Sequence, residues 1–410
     1  MTQPRQRIFK LLAITAALAV AAIGTLLGAL WLEHRTEVTL PMPTGSFGVG
    51  RTVYDWIDHK AQDRLAPAPG IQRELLVWVW YPAEAGAAVD DYVPAFARRP
   101  GPDRGPLILR PLTWVFDLLT RDPSKVHGHS LADATVSPQR PSYPVVIVRG
   151  GASREVQAYS TLAEDLASHG YVVVGLDAPY RTGEVVFPDG RMIERSPENN
   201  PELFAGEALE RLAVKLIDAW SGDMSFALDQ LERLNASDPS GRFLGRLDMR
   251  RVGAFGHSLG GAEALQFCHD DSRCKASLDL DGAPWGSVVR EGLAQPVMFL
   301  MSDHRGESDP EGARITANLR SIFGRSPEGR RVQIMIRGAN HYLFSDDAIL
   351  KSHMVLRTLQ TLGILGIEGR RQLAVTVDCL HSFFDEYLMG ISSGRTETLS
   401  SLYPEIQALQ

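Results

Sequence analysis

From Tyr143 onward the chain alternates between two hydrophobic rhythms. Short continuous apolar runs at 145–148, 171–176, 251–255, 276–280, 297–301 and 332–336 read as parallel strands buried on both faces. Between them, apolar residues recur every three or four positions, as at Leu209, Leu212, Leu216, Trp220, Met224, Leu228 and Leu231, which predicts a helix over 207–234. Helices are also expected over 159–169, where Gly170 ends the run, and over 347–361 and 371–389. An earlier strand is expected over 74–81, β-branched and aromatic and stopped by Pro82. Strands and helices alternating at this spacing predict an α/β fold, a mostly parallel sheet covered by helices on both faces.

Upstream the pattern changes. Residues 11–32 form an unbroken uncharged stretch, preceded by Arg5, Arg7 and Lys10 and closed by Glu33, His34 and Arg35. As a helix it would extend roughly 33 Å, about the thickness of a bilayer's hydrocarbon core. Positive charge before the span favours a cytoplasmic N-terminus with the bulk of the chain exported, a single-pass protein of a bacterial inner membrane facing the periplasm. The alternative is a signal peptide, cleaved to release a secreted protein; a small-residue site at Ala19-Val20-Ala21 falls in the middle of the run. The organisation expected is an anchor at 1–35, a linker at 36–70 and one domain over 71–410 with a proline-rich insertion at about 82–143. Inside that insertion, 107–119 is an apolar island with Trp114, Phe116, Leu118 and Leu119, bordered by Arg110 and Arg121. Such a segment suits either a membrane interface or a roof over the sheet.

A net charge of −7 argues against a nucleic-acid partner. Cys268 and Cys274, six residues apart, can close a small disulfide loop in an exported domain, leaving Cys379 as a core residue.

The chemistry concentrates at Gly256-His257-Ser258-Leu259-Gly260, between an expected strand and a small-residue helix start. This is the strained strand-turn-helix that presents a serine nucleophile. Tiny residues two positions before and after let the backbones pass, and the helix N-terminus offers N–H groups to a developing oxyanion. A serine needs a base held by an acid. His341 follows the last expected strand and is the candidate base; His304 falls too early, His353 lies on a helix, and His257 reads as packing. Asp281 and Asp303 follow consecutive strands, and either can supply the acid. For the oxyanion hole the candidates are the amides of Leu259 and Ala152, with Gly151 as the alternative second donor. No metal or organic cofactor is needed for this acyl transfer.

These residues together resemble the platelet-activating factor acetylhydrolase family, plasma and type II intracellular branch, an α/β-hydrolase family. The likeness runs from about residue 72 to 405, through Trp80-Tyr81-Pro82, Tyr159-Ser160, Asp165-Leu166-Ala167-Ser168-His169-Gly170-Tyr171, the serine motif with Gly261, Leu280-Asp281 and Ile336-Arg337-Gly338-Ala339-Asn340-His341. The 23-residue spacing from Ser258 to Asp281 is the family's, so the resemblance favours Asp281 as the acid. It implies calcium-independent hydrolysis of short or oxidised acyl esters of phospholipids. Relatives include broader carboxylesterases, which leaves non-lipid esters, including polyester or cutin, as the alternative substrates. The family usually carries His-Gly in its oxyanion loop, where this chain has Gly150-Gly151.

Overall fold

The computed structural model describes residues 3–98, 110–152, 154–304, 310–391 and 395–409, excepting the side chains of 3–9, 110–113 and 395–397. The chain opens with α1 (Gln3–His34), a helix whose most apolar 18-residue window within 10–34 has a mean hydropathy of 2.3 and is unburied. It is long and apolar enough to cross a membrane. The strands that follow are β1 (Val38–Thr39), β2 (Gly48–Gln62), β3 (Gln72–Ala83), β4 (Val89–Asp91), β5 (Val126–Ala132), β6 (Tyr143–Arg149) and β7 (Val172–Asp177). Then come β8 (Glu184–Val186), β9 (Met192–Glu194), β10 (Leu247–His257), β11 (Cys274–Leu280), β12 (Val297–Met301), β13 (Arg331–Ile336) and β14 (Ile406–Ala408). All but the β8–β9 hairpin belong to one sheet, ordered β1-β5-β2-β3-β7-β6-β10-β11-β12-β13-β14, with β4 on β5. The block β7-β6-β10-β11-β12-β13 is parallel throughout.

The helices after α1 are α2 (Arg110–Asp117), α3 (Ser160–Ser168), α4 (Gly206–Ala236), α5 (Leu259–Asp270), α6 (Ser287–Glu291), α7 (Pro310–Arg325), α8 (Asp347–Leu350), α9 (His353–Thr361), α10 (Gly369–Tyr387) and α11 (Arg395–Leu402). Successive residues of a strand face opposite ways, and β6 divides the core accordingly. Val146 and Val148 pack with Leu162 and Leu166 of α3 and with Leu380 and Phe384 of α10. Val145 and Ile147 pack with Trp220 and Leu228 of α4, Leu265 of α5 and Ile322 of α7. Helices therefore cover both faces, and the expected α/β-hydrolase architecture is the one observed.

Two regions differ from the sequence reading. The stretch 36–70, expected as a linker, contains β2, paired with β3 from Gly48↔Ala83 to Gln62↔Gln72. The insertion at 82–143 contributes β5 to the main sheet between β1 and β2. Both strands stand near the β1 edge of the sheet and mix exposed with buried residues, which hid them from a search for continuous apolar runs. The helix expected over 347–361 is two helices, because Lys351 is extended and Ser352 caps α9 through its hydroxyl.

Candidate active site

The serine turn is built by steric necessity. Ser258 sits between β10 and α5 with φ 57° and ψ −126°, a left-handed conformation that costs a non-glycine residue energy. A Cβ on Gly256 would overlap the Gly260 carbonyl, one on Gly260 would overlap the Gly150 carbonyl, and one on Gly261 would overlap the Asp279 carboxylate. The Ser258 N–H donates to the Leu280 carbonyl at 2.8 Å, tying the turn to the end of β11. One residue on, Asp281 also has positive φ (55°), and its N–H donates to the Leu300 carbonyl of β12 at 2.9 Å.

His341 arrives from the turn after β13. Gly338 (φ 75°) passes so close to Gly366 that a side chain there would collide with its backbone. Gln372 of α10 brackets Asn340, accepting its N–H and donating to its carbonyl, both at 2.9 Å. The result is a line of three groups. His341 Nδ1 is 2.7 Å from Asp281 Oδ2, and His341 Nε2 is 3.1 Å from Ser258 Oγ. With the proton on Nδ1, the imidazole donates to the carboxylate and accepts from the serine hydroxyl. Ser258 and His341 are half-buried, whereas the Asp281 side chain is fully buried. Burial alone would raise the Asp281 pKa; hydrogen bonds from His304 and His341 outweigh it and hold the carboxyl far below the usual range.

The rival acid lies elsewhere. Asp303 Oδ2 accepts the Gly338 N–H at 2.7 Å, and its own N–H donates to the Ala339 carbonyl at 3.1 Å, so it braces the loop that carries His341. At the oxyanion end, Leu259 is the first residue of α5, where backbone N–H groups have no helical acceptor. The Gly151 N–H donates to the Tyr159 hydroxyl at 3.0 Å and is occupied. A Cβ on Gly151 would lie 3.5 Å from Ser258 Cβ, which places this loop directly against the serine. Cys268 and Cys274 are joined as a disulfide with Cα atoms 5.0 Å apart, and Cys379 is a free, buried thiol.

Three polar residues take roles that the sequence reading did not give them: it set His304 aside as too early for the base, read His257 as packing and gave Ser302 no role. His304 Nε2 is 2.8 Å from Asp281 Oδ1, and Ser302 donates to the same carboxylate through its N–H (2.9 Å) and its hydroxyl (2.6 Å). The pairing Leu280↔Leu300 already sets residues 302–304 beside Asp281, so strand register was the available signal. His257 is more than packing. Its Nδ1 lies 2.8 Å from the Tyr159 hydroxyl and its Nε2 2.8 Å from the His341 carbonyl. Burial, then the neighbouring His341, lower its pKa to about 3, so the ring is neutral. A neutral ring completes a chain: Gly151 N–H to Tyr159 oxygen, Tyr159 O–H to His257 Nδ1, and His257 Nε2–H to the His341 carbonyl. That chain links the oxyanion loop, the serine turn and the base loop. Asp279 lies buried beneath the turn; burial and the Asp281 charge push its carboxyl pKa well above the ordinary value.

Comparison with known proteins places the chain among ester hydrolases. Residues 225–390, which include Ser258, Asp281 and His341, match the family described as platelet-activating factor acetylhydrolase, isoform II. A probable 1-alkyl-2-acetylglycerophosphocholine esterase of Arthroderma benhamiae is 25% identical over 90% of this chain and 92% of its own. A platelet-activating factor acetylhydrolase of Cavia porcellus is 23% identical over 60% of this chain and 58% of its own. Among solved structures, a ferulic acid esterase from Streptomyces cinnamoneus superposes with a TM-score of 0.71 at 25% identity, covering 91% of this chain and 99% of that one. The chain is an ester hydrolase of the α/β-hydrolase class, and the acetylhydrolase resemblance read from its motifs is the one these comparisons return.

Proposed function

We propose that this chain is a membrane-anchored serine esterase that hydrolyses short or oxidised acyl esters of phospholipids through Ser258, His341 and Asp281. The observation that carries the chemistry is the alignment of Ser258 Oγ, His341 Nε2 and Nδ1, and a buried ionised Asp281 at the carboxyl edge of a parallel sheet. As Ser258 attacks the ester carbonyl, His341 takes its proton and the Leu259 and Ala152 amides receive the oxyanion. The alcohol leaves with the proton held on His341, and water then cleaves the acyl-enzyme by the reverse relay. Asp281 keeps Nδ1 protonated and stabilises the imidazolium; Ser302 and His304 hold Asp281. Burial and the Asp281 charge shift Asp279 toward its acid form beneath the serine.

The phospholipid assignment rests on the acetylhydrolase and glycerophosphocholine esterase names of the relatives, and the anchor supports it. Glu33, at the end of α1, receives the first N–H groups of α9, from His353 (2.6 Å) and Met354 (3.4 Å), and the Ser352 hydroxyl. Arg121 grips the same residue through its carboxylate and carbonyl, and the His34 ring meets the Thr120 carbonyl at 2.7 Å. A carboxylate at a helix N-terminus is a favourable cap. Cleavage inside the apolar run would leave this residue on a loose end, which favours a retained anchor over a removed signal. Arg121 is thereby committed to Glu33 rather than to head groups, while Trp114 and Phe116 of α2 stay exposed at 40% and 60%. Residues 107–109 of the same island lie outside the described residues, as does the Arg110 side chain.

The ferulic acid esterase neighbour favours a second reading, a carboxylesterase for soluble non-lipid esters. A hydrolysis panel separates the two. Short-acyl phosphatidylcholine should be cleaved with higher kcat/KM than an aryl ester of the same acyl length. A preference for the aryl ester with no phospholipid turnover would reject the lipid assignment.

A further inference from the structure

α3 runs between β6 and β7, so its C-terminal end lies at the amino edge of the parallel strands, across the sheet from Ser258. Three side chains of metal-ligand type that the esterase chemistry does not use converge there. Asp165 and His169 are four residues apart at the end of α3, which puts them on one face, and His381 meets them from α10. One ligand atom from each lies within 4.8 Å of the other two. The two imidazoles face each other with ring centroids 3.7 Å apart.

The surroundings are those of a held site. Asp165 and His381 are buried, with side chains 5% and 2% exposed, while His169 is half-buried and Thr44 beside it is exposed, which leaves one way in. Asp165 Oδ1 accepts the Thr44 N–H at 2.7 Å, and the Thr44 hydroxyl is 2.9 Å from His169 Nε2. The other oxygen, Oδ2, forms an ion pair with His381 Nε2, so all three candidate ligands are already drawn together. Buried carboxylate and imidazole atoms this close, with a second imidazole beside them, form the kind of donor set that a divalent cation can join.

We propose that Asp165, His169 and His381 bind a divalent transition cation of the zinc class, which staples α3, α10 and the Thr44 loop together. Two imidazoles and one carboxylate suit zinc, with the Thr44 hydroxyl or a water completing the shell, whereas calcium and magnesium require more oxygen ligands. Tetrahedral zinc asks for ligand atoms roughly 3.4 Å apart, a separation these side chains reach by rotamer adjustment.

The test uses untagged full-length protein in detergent, stripped with EDTA, incubated with zinc chloride and passed through a desalting column. Retention of one zinc per chain, with a melting temperature raised by a few degrees, is the expected result. Cobalt chloride in place of zinc should give visible absorption bands of a four-coordinate ion. His169→Gln, the mildest change because the ring is only half-buried, should abolish both signals while leaving ester hydrolysis at its wild-type rate. Wild-type protein that retains no zinc would overturn the proposal without recourse to any variant. Full retention in both His169→Gln and His381→Asn would overturn it equally, since the metal would then sit elsewhere.

Discussion

Ser258 and Asp281 are two of the four non-glycine residues with positive φ among the described residues, and both sit one residue beyond a strand. Each is held there by a hydrogen bond from its own N–H to the neighbouring strand, so the strain is maintained by the sheet. Ser258→Ala should fold normally and lose on the order of 10⁶-fold in kcat on a soluble aryl ester. Asp281→Asn should lose roughly 10⁴-fold, because the base loses its orienting carboxylate. Asp303→Asn should cost less than about tenfold, since the residue acts through Gly338 rather than on His341; a larger loss than for Asp281→Asn would exchange the two roles. His257 gives a pH signature. Its pKa is about 3 when folded against 6.5 for an ordinary histidine. Between those values the unfolded chain binds a proton that the folded chain refuses, so stability falls as pH drops from 6.5 and this loss levels off near 3. Urea midpoints of wild type and His257→Gln should therefore converge on acidification; a constant difference would show that the ring titrates normally. Ser258 and His341 were legible in the sequence because motif and strand order mark them. His257 and His304 were not: the partner of His304 follows a neighbouring strand and shows only once register is known, while the partners of His257, Tyr159 and the His341 carbonyl, come from distant turns.

At the scale of elements, the legible parts are those buried on both faces. β6, β7 and β12 are buried along their whole length and stand out as apolar runs. β2 is half exposed, and Arg51, Asp55, Asp58 and His59 interrupt its apolar residues. Its place in the sheet is set by pairing with β3 rather than by its own composition. The Cys268–Cys274 bridge joins the end of α5 to the start of β11, next to the element that presents Ser258. A loop this short lowers unfolded-state entropy modestly, so reduction should lower stability by about 2 kcal/mol. Urea midpoints with and without reductant measure it, and an unchanged midpoint would mean that the bridge does not constrain the unfolded chain.

For the molecule as a whole, the clamp on Glu33 fixes the exit of α1 beside α2 and α9, and that corner carries exposed Trp114, Phe116, Leu362 and Ile364. With α1 in a bilayer this corner would lie near the lipid surface, as interfacial apolar side chains require. Trp114→Ala with Phe116→Ala should slow hydrolysis of vesicle-embedded esters severalfold and leave a soluble short-chain ester nearly untouched. Equal loss on both would make α2 a roof of the site. The central claim is that an ester passes through a covalent intermediate on Ser258. The direct measurement is the intact mass and peptide map of the full chain after a fluorophosphonate, with and without prior incubation with a short-acyl phosphatidylcholine. The expected result is a single adduct on Ser258, delayed by the phospholipid and absent in Ser258→Ala. An adduct on another serine, or none, would contradict it.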